Sequence, residues 1–157
     1  MEGKTALVYY SLEGNTAFIA KMVKDLIGAR VIRLKPEKEP PRKGAWKMLI
    51  GGFTALTHKK PRLAPIHTNL SEYDNIILAY PVWAGTYPPA IGSFLEEYSL
   101  YGRKVYLIAN SGSGNEGKSF EQIEGAIYDS EITDAICLAT PLKNRKKVRD
   151  ELEMFLR

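Results

Sequence analysis

Apolar residues recur along this chain in two rhythms. Short continuous runs have the length and composition of buried strands: Ala6-Leu7-Val8-Tyr9 within Lys4–Tyr10, Asn75–Tyr80 (NIILAY), Val105–Ala109 (VYLIA) and Ala135–Ala139 (AICLA). Val31–Leu34 adds a shorter one. Between them the spacing changes to that of a helix. Ile19, Met22, Val23, Leu26 and Ile27 fall on one face of Asn15–Ile27, and Gly28 follows as a C-terminal stop. Pro88-Pro89 opens a second helix, because proline suits the first turn, and Ile91, Phe94, Leu95 and Tyr98 share a side of it. Ser119 with Gln122 matches a capping box ahead of Phe120, Ile123 and Ile127. Val148, Leu152 and Phe155 give the last helix its stripe.

Five apolar strands alternating with helices predict an α/β fold, a doubly wound, mostly parallel sheet covered on both faces. Right-handed crossovers leave only a few strand orders. A single domain over 1–157 is expected. One interval breaks the rhythm: from Leu34 to Asn75 the connection far exceeds the usual ~2–6 residues. Pro36, Pro40 and Pro41 interrupt it early. Trp46, Leu49, Ile50, Phe53 and Leu56 predict a helix near 44–57 with Gly51-Gly52 inside it, and Lys59–Leu70 reads as extended.

Composition narrows the class. Of 157 residues, 45% are hydrophobic and 25% charged, the balance of a globular protein, which excludes disordered and collagen-like chains. No apolar run approaches the ~20 residues that span a bilayer. The lone Cys137 has no partner for an internal disulfide, and a cytoplasmic protein is expected. The net charge of +4 is local: residues 35–67 sum to +6 and the remainder to −2. A nucleic-acid binder would spread cations along a groove with aromatics between them, so the extended basic connection at about 35–74 reads as a solvated segment.

In open α/β sheets, ligands bind beyond the carboxyl ends of the strands. Three loops there carry unusual sequences. Ser11-Leu12-Glu13-Gly14-Asn15-Thr16 is a short strand-to-helix turn whose N–H groups, hydroxyls and amide suit an anion at a helix N-terminus. It lacks the GxxxxGK[ST] of a nucleotide triphosphate loop. Pro81-Val82-Trp83-Ala84-Gly85-Thr86-Tyr87 places two large aromatics beside a glycine, a flat wall for a planar ligand. Asn110-Ser111-Gly112-Ser113-Gly114-Asn115-Glu116-Gly117 matches G-x-G-x-x-G literally. It follows the fourth strand rather than the first, and the next strand runs into Thr140-Pro141 with no acidic residue at its end. A dinucleotide fingerprint is therefore rejected in favour of a loop of backbone donors along a ligand edge.

Together these loops resemble the flavodoxin family, over nearly the whole chain. Ser-x-x-Gly-Asn-Thr after the first strand, at Ser11–Thr16, is the most specific feature. The resemblance implies strand order 2-1-3-4-5 in the short form and non-covalent FMN. Ser11, Leu12, Glu13, Gly14, Asn15 and Thr16 would hold the phosphate. Pro81, Val82, Trp83, Ala84, Gly85 and Thr86 would border the ring on one side, with Trp83 as the stacking residue, and Ser111, Gly112, Ser113 and Gly114 would line the other. Three features depart from the family. Glu13 stands where a hydroxyl residue is common, so its carboxylate must point away from a phosphate. Ser111 and Ser113 stand where many flavodoxins carry a stacking aromatic. The chain is basic where many are acidic.

Three functions follow as alternatives. An electron carrier would pass single electrons to a redox partner protein. An NAD(P)H-dependent reductase would pass hydride to a quinone or similar small acceptor. A non-redox scaffold would use the loops for another phosphate compound or a protein. The basic segment would serve as a docking face or as a wall of the substrate site. His58 and His67 stand apart from any ligand cluster, Cys137 is expected as a buried small hydrophobe, and Tyr10 is expected either in the core or against the ligand.

Overall fold

The computed structural model describes residues 1–39, 60–127 and 130–157. Chain order runs β1 (Thr5–Tyr9), α1 (Asn15–Ile27), β2 (Arg30–Arg33), a 3-10 turn (Leu70–Glu72), β3 (Asn75–Pro81), α2 (Pro89–Glu97), β4 (Lys104–Ser111), α3 (Ser119–Ala126), β5 (Glu131–Ala139) and α4 (Arg145–Phe155). The strands form one sheet in the order β2-β1-β3-β4-β5, and every pairing is parallel. This is the doubly wound order that the resemblance to the flavodoxin family implied.

Side-chain alternation along the strands makes two cores, one on each face. Val8, Leu78 and Leu107 point to one layer, where Ile91, Phe94 and Ile123 cover them. Leu7, Ile77 and Ile108 point to the other, under Ile19, Val23, Val148 and Leu152. Strands buried on both faces must be apolar at successive positions, which is why these runs were readable. The helix stops also hold. Gly28 ends α1 in the left-handed region and donates its N–H to the Lys24 carbonyl at 2.9 Å. Pro88 and Pro89 open α2.

Two local expectations change. β5 begins at Glu131, four residues before the predicted run. It is an edge strand, so its first half is largely exposed and lacks an apolar signature, and its register with β4 shifts between Val105 and Tyr106. The capping box at Ser119 does not form. Ser119 is buried, its hydroxyl accepts from Tyr80 Oη at 3.2 Å, and no side chain caps α3. The helix near 44–57, Gly51-Gly52 and much of the basic segment lie outside the described residues. The ends of that connection pair with each other. Pro36 bridges Leu63 antiparallel, Glu37 N–H donates to the Arg62 carbonyl (3.0 Å), and Ala64 N–H donates to the Lys35 carbonyl (2.8 Å). Among the described residues no helix is long and apolar enough to cross a membrane.

Candidate functional site

The sheet order reverses between β1 and β3, and the loops after β1, β3 and β4 stand together there. In the first, Gly14 takes φ +98° as the N-cap of α1, a conformation that a side chain would strain. No side chain caps this terminus, so its first-turn N–H groups remain available to an anion. Ser11 is buried, and its hydroxyl accepts the Gly14 N–H at 3.2 Å, which fixes the turn. Leu12 and Thr16 are buried, whereas Glu13 is exposed. Arg33, at the end of β2, reaches the Ser11 carbonyl from Nη2 at 3.4 Å.

The second loop closes in a two-residue turn. Trp83 and Thr86 exchange backbone hydrogen bonds of 2.9 and 3.0 Å around Ala84 (φ +49°) and Gly85 (φ +76°). Positive φ at both central residues is the type I′ pattern. Trp83 is half-buried and meets Tyr10 edge to face, with ring centroids 5.5 Å apart and planes at 83°. Tyr10 is 1% exposed, so it belongs to the core, behind Trp83.

In the third loop the Ser111 hydroxyl accepts N–H bonds from Gly114 (2.9 Å) and Asn115 (3.0 Å), and Asn115 Oδ1 accepts from Gly117 N–H (2.8 Å). Gly112 and Ser113 are exposed. Cys137 lies beneath, with Sγ 3.9 Å from Ser111 Oγ. It is half-buried rather than fully buried as expected, because β5 is an edge strand. Burial pushes its thiol up to about 11 despite the Ser111 contact, which acts the other way. Burial likewise raises the Tyr80 phenol above its ordinary value, against the opposing hydrogen bond to Ser119.

Several residues that join the loops escaped the sequence reading. Asn110 is buried, and its Nδ2 donates to Thr16 Oγ1 (2.7 Å) and to the Tyr80 carbonyl (3.0 Å), so one amide ties the ends of β3 and β4 to the start of α1. Lys118 N–H donates to the Gly85 carbonyl at 2.7 Å. Gln122 Oε1 meets Thr86 Oγ1, reaching across to the second loop instead of back along its helix. The turn after β5 also joins: Thr140 N–H donates to the Ser111 carbonyl (2.9 Å), and Leu142 N–H donates to Asn15 Oδ1 (3.2 Å). Thr140 has a positive φ of 40°. Among these, Thr140-Pro141 alone announced itself, as a turn signal after a strand. His67 is exposed and His58 lies outside the described residues. A cleft of about 520 Å³, bordered by Lys4, Lys24, Arg30 and Tyr73, lies at the opposite end of the sheet, away from all three loops.

A five-stranded parallel sheet in this order, with an anion-ready turn after β1 and paired walls after β3 and β4, defines a flavodoxin-like fold. The sequence profile of the flavodoxin family matches residues 4–156, and the chain belongs to that family. No curated protein matches it. Solved structures do. A provisionally assigned flavoprotein from Bacteroides uniformis is 22% identical, with a TM-score of 0.80 over 98% of this chain and 99% of that one. A flavoprotein from Lactobacillus acidophilus, solved in complex with FMN, is 16% identical (TM-score 0.74; 90% and 97% covered). An NADPH-quinone reductase from P. pentosaceus is 9% identical (TM-score 0.62; 97% and 96% covered).

Proposed function

We propose that this chain binds FMN non-covalently and works as a flavodoxin-like redox protein. The observation that carries the reading is the uncapped N-terminus of α1, which stands at the switch point of the sheet beside two loops joined to each other. Its donor set fits a phosphomonoester: free first-turn N–H groups and hydroxyls at Ser11 and Thr16. Ser11–Thr16 would hold the phosphate. Trp83, braced by Tyr10, would lie against the ring, and Ser111–Gly114 would line its other border. When bound, FMN supplies reversible electron transfer, and the surrounding backbone sets how readily it occurs. The complex of the Lactobacillus acidophilus flavoprotein with FMN supports the choice of flavin.

A second reading is favoured by the third loop. Ser111–Gly114 contains no aromatic, and Gly112 and Ser113 are exposed. A ring bordered this way keeps one side open to a small molecule, as an NAD(P)H-dependent reductase acting on quinones would need. The shared fold of the NADPH-quinone reductase is consistent with this alternative.

Titrating apoprotein with FMN, FAD and riboflavin, followed by flavin fluorescence, tests the first reading. FMN should bind most tightly, riboflavin should lose the phosphate's contribution, and the complex should absorb near ~450 nm. Equal affinity for riboflavin would overturn the role of the Ser11–Thr16 turn, and absence of flavin binding would leave the scaffold reading. NADPH oxidation by the FMN-loaded protein in the presence of a quinone separates reductase from carrier.

A further inference from the structure

We propose that the turn after β5 and the start of α4, centred on Leu142, Lys143, Arg145 and Lys146, form a docking face for an acidic protein that exchanges electrons with the bound flavin. The proposal rests on the redox reading above and names the kind of partner.

The cations of this segment fall into two groups. Further along α4, Lys147 and Arg149 face Glu151 at 3.7 Å and Glu153 at 2.9 Å, and these i,i+4 pairs support the helix. Lys143, Arg145 and Lys146 are exposed, and among the described residues no carboxylate lies within ion-pair distance of them. Their positions also run against helix stability. The first turn of a helix favours acids, yet α4 has none there and carries Asp150, Glu151 and Glu153 later. Arg145 braces the turn, donating from Nε to the Leu142 carbonyl at 3.3 Å, but fold stability gives no reason for Lys143 and Lys146 beside it.

The patch adjoins the candidate flavin site. Leu142 N–H bonds Asn15 Oδ1, and Leu142 Cδ1 would stand 3.9 Å from a methyl built on Gly14, so the turn rests on the anion-ready loop. Arg145 places its guanidinium carbon 5.3 Å from the centre of the Phe18 ring on α1, fixing the patch to the same helix. Leu142 is 37% exposed and supplies an apolar spot among the cations, the arrangement of an apolar centre within a charged rim. Its side chains stand on an exposed turn rather than in a cleft. That shape suits a protein surface better than a small polyanion, which binds in concave sites. An acidic partner would be steered here by long-range attraction and seated beside the phosphate end of the cofactor.

The test uses FMN-loaded protein and, as probe, a strongly acidic [2Fe–2S] ferredoxin reduced beforehand. Each reduced cluster gives one electron, and two such transfers with protons from solvent bleach the flavin band, followed by stopped flow. The bimolecular rate should fall at least ten-fold between about 20 mM and about 300 mM salt. Lys143→Glu combined with Lys146→Glu should lower the low-salt rate about ten-fold or more and flatten its salt dependence. Lys21→Glu combined with Lys24→Glu, the same charge change on α1, should leave it within about two-fold. The first pair adds an acid where the dipole of α4 favours one, so the variant is expected to fold, and its FMN affinity reports this independently. Equal slowing by both pairs would show a net-charge effect and overturn the proposal, as would no slowing by either. Wild-type protein that holds no flavin would show so in its spectrum before ferredoxin is added, and that result rejects the redox reading and this proposal together.

Discussion

A methyl group built on Gly117 would stand 2.5 Å from both the α-carbon and the carbonyl oxygen of Gly85. The second and third loops thus touch backbone to backbone, and the Lys118 N–H to Gly85 carbonyl bond locks that contact at 2.7 Å. Gly117→Ala must push the two loops apart and also strains φ +61°, at a cost of about 1–2 kcal/mol. FMN affinity should drop roughly ten-fold or more by titration, since in the proposed complex these loops would form the two borders of the ring. Gly125→Ala is the control: on α3, outside the three loops, its methyl would meet nothing within 4 Å, and affinity should hold.

Ala84 is the strained partner in the same turn. With φ at +49° it occupies a region that costs a non-glycine residue energy, while the type I′ turn favours asparagine or glycine there. Ala84→Gly should raise stability by roughly 0.5–1 kcal/mol in urea unfolding, after its own entropic cost is subtracted. An unchanged midpoint would show that the turn relaxes without help.

Asn110 connects three elements through one buried amide. Asn110→Ala leaves the Tyr80 carbonyl and the Thr16 hydroxyl without that donor, which should cost about 2 kcal/mol by chemical denaturation. FMN binding should weaken as well, because Thr16 sits in the anion-ready turn.

Trp83 supplies the aromatic surface of the second loop. Trp83→Leu should raise the Kd for FMN about five- to ten-fold, the value of one aromatic contact of ~1 kcal/mol, and should leave riboflavin-against-FMN discrimination intact. A matched loss of that discrimination would show that the loop positions the phosphate too.

Cys137 offers a pH-dependent readout. Its thiol is held near 11 by burial, so alkylation by iodoacetamide at pH 8 should be far slower than that of an unfolded control, with the rate rising toward pH 11. The sign for stability follows. Below about 9 both folded and unfolded chains keep the proton, and this group adds no pH dependence. Between about 9 and about 11 the unfolded chain ionises first, so stability falls as pH rises.

The fold was legible because central parallel strands must be apolar on both faces, and Ala6–Val8, Ile76–Tyr80 and Val105–Ala109 are buried almost completely. Legibility failed at the edge, where β5 is half exposed and its first residues, Glu131 to Asp134, alternate like a surface segment. The site loops were legible from glycine, proline and aromatic punctuation. The side chains that knit them were not. Asn110 reads as a loop residue, and its partners lie 94 and 30 positions away in sequence. Gln122 matched a local capping pattern, yet its partner is on another loop. Local pattern reports what a residue can do within its own element, while tertiary pairing decides which option is taken.

The hydrogen bond from Leu142 to Asn15 spans 127 positions of sequence. During synthesis the turn at Ser11–Thr16 emerges early, but its last backbone brace arrives only when the fifth strand has docked. A nascent chain stalled before that point carries the turn without this brace, so the geometry of the earliest loop is completed by one of the last segments to fold.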